Sequence, residues 1–443
     1  MRRARWIGLL LLLLGCGFCL GWGFSLERTA PDAMGDFKIV YHAARCFLQH
    51  SDPYNSSIFE SVYRAQGWEL PLASTSLQGA KIYINLPAAF ILTVPFAMLP
   101  WGLAHVLWII LSSTGLVLAA YLMWNLGAEY APILSGCLIG FLAANSEVFL
   151  GGGNLTAIVA SLCVVAVWCF FKDKYVLGGV LCMALSLAIK PHNAGFVWLY
   201  FLLAGGIYRK RALQTLAVTA VLSLASVLWV SPVAPHWAPE LHNNLATISA
   251  RGSLNDPGPT MVHGPDPDEL ISIQTVVSVF WDDPRVYNPV GYLICGALLL
   301  VWLVRTLLPR VFPRRAWLAL AAVVPLTMLV TYHRPYDAKL LLLTVPACAM
   351  LWAEGGLLGL GALLMNAAGF VLIGDVPLAI LMILTRGLRL STSALSGQIL
   401  TVALMRPTPI ILLAMGIFYL WVYLRRALLD GECRIADATL ARG

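Results

Sequence analysis

The chain has 443 residues, of which 59% are hydrophobic and 12% charged. A soluble globular chain carries about 25% charged residues, so lipid must be the solvent for much of this one. The net charge of +7 does not signal nucleic acid, because the basic residues form short clusters between apolar runs, where membrane topology accounts for them.

The chain opens with Arg2-Arg3-Ala4-Arg5 and an apolar run ending near Phe24. Such a run imitates a signal peptide, but no convincing small-x-small cleavage site follows it, which favours a retained anchor. Twelve full spans are expected, near 7–24, 84–100, 102–125, 154–171, 176–191, 193–207, 212–231, 288–308, 316–332, 338–353, 355–373 and 407–424. The apolar stretch 131–149 is expected to be a re-entrant pair of half-helices, since an ordinary span there would invert everything after it. Arg2, Arg3, Arg5, Lys172, Lys174, Arg209-Lys210-Arg211, Arg310, Arg314, Arg315, Arg425 and Arg426 then share one side, which their charge assigns to the cytoplasm.

Three loops, about 25–83, 232–287 and 374–406, face the other side, and the apolar piece 376–385 of the third dips into the interface. They are rich in Trp, Tyr, Pro and Asp rather than Ser and Gly, which suits ordered loops packed on the membrane face. The expectation is one all-α polytopic membrane domain over 1–443, with about 12–13 transmembrane helices. The ten cysteines form no CxxC or Cys/His pattern for zinc, and eight of them lie inside apolar runs.

Four polar groups stand out in this background. Gly35-Asp36 opens a helical stretch in which Phe37, Tyr41, Ala44 and Leu48 share one apolar face. Asp36 fits either an N-cap or a catalytic carboxylate at the membrane surface. Gly151-Gly152-Gly153-Asn154 reads as a helix cap, or as glycines admitting an anion to backbone N–H groups. Lys190-Pro191-His192-Asn193 sits at the outer end of a span, where a lysine either snorkels or meets an anion. Thr331-Tyr332-His333-Arg334-Pro335-Tyr336-Asp337-Ala338-Lys339 is the densest polar cluster of the second half, read as a ligand site in which Arg334 and Asp337 compensate each other. One carboxylate and several cations at similar depth suit a lipid phosphate held by cations and a hydroxyl nucleophile deprotonated by the carboxylate.

In order along the chain, Asp36-Phe-x-x-x-Tyr41-x-Ala-Ala44, Asp52-Pro-Tyr54, Tyr83-x-x-x-Pro87, Gly153-Asn154, Lys190-Pro191 and Tyr332-His-Arg-x-Tyr-Asp337 resemble glycosyltransferase family 87, of the GT-C superfamily. The family usually has Gln where this chain has Gly153. The resemblance implies a GT-C-like bundle in the inner (plasma) membrane with its active site on the extracytoplasmic side. It implies transfer of a sugar, mannose most often, from a polyprenyl-phosphate carrier to a hydroxyl of a lipid or glycan acceptor. It assigns Asp36 as general base. Charge and position add Lys190, His333 and Arg334 as partners of the donor phosphate, and Tyr41, Arg45, Asn154, His192 and Asp337 as substrate contacts. No cofactor is implied, since the lipid-linked sugar is a substrate, and no carboxylate motif demands a metal. The loop 232–287, with His236, Trp237, Asn243, Asn255 and Asp256, is the candidate for acceptor recognition. A transporter or flippase of lipid-linked saccharides is the competing reading, and a structural partner in an envelope complex a third.

Overall fold

The computed structural model describes residues 2–29, 33–65, 82–258, 270–307, 313–385 and 394–440. Arg310 falls outside them, as do parts of all three outward loops. The described residues are helical and contain no strand, as expected of an all-α membrane protein. The helices are α1 (Arg2–Thr29), α2 (Gly35–Leu48), α3 (Ser56–Ala65), α4 (Ala89–Ala97), α5 (Trp101–Gly127), α6 (Pro132–Ala144), α7 (Val148–Gly152), α8 (Thr156–Lys172), α9 (Val176–Ile189) and α10 (Pro191–Ala204). There follow α11 (Gly206–Val230), α12 (Trp237–Ile248), α13 (Ile273–Phe280), α14 (Pro284–Leu307), α15 (Pro313–Val330), a 3-10 segment (Asp337–Thr344), α16 (Val345–Glu354), α17 (Gly356–Leu372), α18 (Asp375–Thr385), α19 (Leu395–Met405) and α20 (Pro407–Leu440).

Among the described residues, α1, α5, α11, α14 and the Pro407–Arg426 part of α20 are long and apolar enough to cross a membrane alone. A sixth span results if α17 and the start of α18, bent by 69° at Ile373–Gly374, count as one. The remaining expected spans are shorter helices. They lie nearer the middle of the bundle: residues 318–324 of α15 and 345–351 of α16 are almost wholly buried. The long α11 and α14 instead expose leucine and valine along much of their length, as lipid-facing helices do.

Two expectations are overturned. The stretch 84–100 is not a span. Its only helix there, α4, has 9 residues, about 14 Å at 1.5 Å per residue, against a hydrocarbon core of about 30 Å. The stretch 131–149 is not re-entrant. A Cβ on Gly8 would sit 2.1 Å from the Pro132 carbonyl oxygen, one on Gly15 2.0 Å from that of Gly140, and one on Gly23 2.8 Å from Leu150. Residues 132–150 therefore run alongside α1 in the same direction from one end to the other. The two corrections cancel in parity, so only α5 changes direction. Gly136-Cys-Leu-Ile-Gly140 is a small-xxx-small pattern that lets the two backbones approach this closely.

The basic clusters still gather at one end of the bundle. There Lys172 pairs with Glu129, Arg211 with Asp173 and Arg426 with Glu354. The outward loops carry α2, α3, α12, α13, α18 and α19 at the opposite end, as ordered helices. Within them Tyr54 donates to the Asn85 carbonyl at 3.0 Å, and Asn244 donates to the carbonyls of Tyr54 and Tyr83 at 2.9 and 3.1 Å. The Asp52-Pro-Tyr54 and Tyr83 motifs thus join the first loop to the second.

Replacing Gly15 by Leu forces α1 and α6 apart. We expect it to destabilise the protein by about 1–3 kcal/mol, read as a lower thermal unfolding midpoint in detergent. Gly17→Leu is the control, because a Cβ there meets nothing within 4 Å.

Candidate functional site

Asp36 is set by its neighbour. Phe37 is fully buried and stacks on Trp108 and Trp101, with ring centroids 4.3 and 5.4 Å away. Trp108 in turn donates its indole N–H to the Gly153 carbonyl at 3.0 Å. Gly153 holds φ +68°, and a Cβ there would meet the Phe37 Cβ at 2.8 Å, so the glycine fits where a larger residue would collide. These contacts press the start of α2 against the turn before α8. Met34 is the residue preceding α2, and Asp36 lies inside the first turn. The carboxylate is not the cap of its own helix. It accepts a hydrogen bond from Asn154 Nδ2 at Oδ2, 2.7 Å long.

Asn154 does three things with one side chain. Its Oδ1 accepts the Thr156 amide at 2.8 Å, at the start of α8, and the Lys190 ammonium at 3.3 Å. Its Nδ2 holds Asp36. Lys190 sits between α9 and α10, where Pro191 starts the second helix, and also donates to Thr156 Oγ1 at 2.6 Å. The Thr156 hydroxyl passes the chain on to Asp337 Oδ1 at 2.8 Å. Asp337 further accepts Asn193 Nδ2 at 3.2 Å and the Arg334 backbone N–H at 3.0 Å, and faces Lys190 at 3.7 Å. The network runs without interruption from Asp36 to Asp337 through groups separated by up to 301 positions of sequence.

Arg334 donates through Nε to the Tyr332 hydroxyl at 3.0 Å and through a terminal nitrogen to the Leu254 carbonyl at 3.2 Å. The second loop is thereby tied to the site. His333 is buried. Its Nδ1 lies 3.3 Å from the Thr331 carbonyl, and its ring meets that of His192 edge to face at 5.2 Å. Burial pushes the His333 imidazole below its ordinary value, with Asp337 acting the other way. Held by burial and by its contact with the Thr331 carbonyl, the imidazole forms a wall of the site.

The two carboxylates are driven apart. Burial pushes Asp36 above the ordinary carboxylate range, opposed by the Asn154 hydrogen bond and by the charges of Lys190 and Arg334. Burial also acts to raise Asp337, but Lys190, the two histidines and the Arg334 N–H outweigh it and hold that carboxyl low. Asp337 is the lasting anion that faces Lys190, and Asp36 is the carboxylate suited to exchange a proton. Asp36 is also partly exposed, and its second oxygen has no hydrogen-bond partner among the described residues.

Residues 83–262 match the family model of Glycosyltransferase family 87. This is the family that the ordered motifs resemble, and the match, over somewhat less than half of the chain, supports a membrane glycosyltransferase. No curated protein matches the chain. The matched segment carries Asn154, Thr156, Lys190, His192 and Asn193, while Asp36 and the 331–337 turn lie outside it.

Asp36, Asn154, Lys190, His192, His333, Arg334 and Asp337 come together as one group. Tyr41 and Arg45 do not join them. They lie further along α2, where Tyr41 OH donates to the Leu99 carbonyl at 2.8 Å and Arg45 to that of Ala97 at 3.3 Å. They cap the carbonyl end of α4. Lys339 also leaves the cluster. It is buried and donates to the carbonyls of Asn145 and Ile373 at 2.6 and 2.7 Å and to Asp375 at 3.2 Å, where it binds the break after α6 to the break after α17. In the second loop, Asp256 is buried and accepts the Gly252 and Gly258 amides at 2.7 and 2.9 Å, so it shapes the loop. The sequence gives no role to Asn193, though it closes the Lys190 motif, and passes over Thr156, whose only signal is that it lies two residues after Asn154.

Asp337→Ala strands the Lys190 ammonium in the interior. Removing one partner of a buried pair costs about 3–5 kcal/mol, so this variant should unfold at a clearly lower temperature than wild type. Because the Asp337 carboxyl is held low, its contribution is present above the ordinary carboxylate pKa of about 3.9 and is lost as pH falls below it. The stability gap between variant and wild type should therefore narrow in acid.

Proposed function

We propose that the protein moves a sugar, mannose being the first candidate, from a polyprenyl-phosphate carrier to a hydroxyl of a lipid or glycan acceptor on the extracytoplasmic side of the inner membrane. The observation that carries this reading is the Asn154 side chain, which ties a carboxylate with one unpaired oxygen to an ammonium with donor capacity to spare. Lys190 has three N–H donors, and its hydrogen bonds go to Asn154 and Thr156. The third remains for a phosphate oxygen. Arg334 adds a second positive charge beside Asp36. The chemistry is a displacement at the anomeric carbon. Asp36 takes the acceptor hydroxyl proton through its unpaired oxygen as the new C–O bond forms and the bond from carbon to phosphate oxygen breaks. The leaving lipid phosphate keeps the electron pair, and Lys190 and Arg334 stabilise its developing charge. The raised Asp36 carboxyl is a stronger base than an ordinary one, and the Asn154 hydrogen bond and the Lys190 charge oppose that rise. Retained orientation of the basic clusters supports the sidedness.

Three outcomes test this. Asp36→Asn should lower polyprenyl-phosphate release from a polyprenyl-phosphate sugar by about 10²–10⁴-fold without loss of lipid-phosphate binding. Equal release would remove Asp36 from the mechanism, and binding without release by the wild type would favour a transporter. The wild-type rate should rise with pH through a midpoint above the ordinary carboxylate value, because the protonated base is inactive. Asn154→Ala removes a hydrogen bond that lowers the Asp36 pKa, so that midpoint should move to still higher pH.

A further inference from the structure

Thr156 has no assigned part in the site, yet the two sides of the network meet at its hydroxyl. The residue is fully buried. Its Oγ1 accepts from Lys190 Nζ at 2.6 Å and donates to Asp337 Oδ1 at 2.8 Å. Lys190 and Asp337 are 3.7 Å apart, close enough to attract but longer than a hydrogen bond. The hydroxyl has one proton to give and accepts on its lone pairs. With its proton on Asp337, it can only receive from Lys190, so the direction of both bonds is determined.

We propose that Thr156 is a positioning residue whose hydroxyl holds the Lys190 ammonium between Asn154 and Asp337, so that its third N–H is presented to the lipid phosphate. This rests on the reading of the site given above. Without the hydroxyl, attraction would draw Nζ from 3.7 Å towards the ~2.8 Å of a charge-assisted bond to Asp337. That movement withdraws Lys190 from Asn154 and turns a phosphate ligand into one half of a closed ion pair. It also takes positive charge away from Asp36, on which Lys190, Arg334 and Asp337 are the charged groups that act. Thr156→Val keeps the shape and removes only the hydrogen bonds, and Thr156→Ser keeps the hydroxyl.

The test uses the purified full-length protein in detergent as wild type, Thr156→Val and Thr156→Ser. Binding of a sugar-free polyprenyl phosphate is measured by calorimetry. Release of polyprenyl phosphate from a polyprenyl-phosphate sugar is followed against donor concentration and pH. We expect the valine variant to bind the lipid phosphate at least tenfold more weakly, to show a donor KM raised by a similar factor, and to have its rising pH limb displaced to higher pH. The serine variant should recover most of each change. A valine variant that binds and turns over like wild type overturns the proposal, as does a serine variant as defective as valine, which would mark a packing role. If wild type binds the lipid phosphate but releases none from the donor, the transferase reading fails, while weaker binding by the valine variant alone still supports the role of Thr156. If wild type binds no lipid phosphate, both fall.

Discussion

An ionised side chain inside a membrane protein must find a partner, and here one amide provides partners for two. Asn154 donates to Asp36 and accepts from Lys190, so carboxylate and cation are held by the same rigid group. Its other contact, to the Thr156 amide, fixes it to the start of α8. The geometry of the site therefore depends on where one helix begins. Thr156 and Asp337 extend the arrangement and give it an asymmetry: one carboxylate is surrounded by donors and stays ionised, and the other retains a free oxygen and a raised pKa.

The helices that position this network are packed with little tolerance. Contacts of Gly8, Gly15 and Gly136 with the facing backbone leave no room for a Cβ, which brings α6 and α7 alongside α1 and carries the 151–154 turn to the start of α2. The Met34 amide completes the junction by donating to the Gly151 carbonyl at 2.6 Å. On the far side of that turn, Lys339 satisfies two carbonyls at helix breaks and pairs with Asp375. Broken helices leave carbonyls unpaired in a medium without water, and a buried lysine is one way to satisfy them. A residue that reads as part of the ligand cluster thus serves the scaffold.

The aromatic residues of the first loop play a similar part. Phe37, Trp101 and Trp108 form a stack beneath Asp36, while Tyr41 and Arg45 fasten the rest of α2 to α4. The motif around Asp36 therefore contains one polar group available for chemistry, and its other members hold that group in place.

Composition and pattern alone determined the solvent of this protein, its helical class, the clustering of its basic residues and the short list of polar groups that came together. These are properties of local sequence, since a charge or an asparagine in an apolar run is visible wherever it falls. Only the tertiary structure decided the rest. The stretch 84–100 is apolar enough for a span, but its helix begins only at Ala89 and ends before the Leu99-Pro100 turn, so α4 is a short helix fastened to α2. The stretch 131–149 reads as re-entrant because a span there would invert everything after it, yet packing against the glycines of α1 carries it across. Tyr41 and Lys339 differ from Asp36 and Asp337 only in the direction their side chains leave neighbouring turns, and direction is set by packing. Thr156 was invisible for the opposite reason: a threonine at a helix start is ordinary, and it gains meaning only when Lys190 and Asp337 arrive on either side of its hydroxyl.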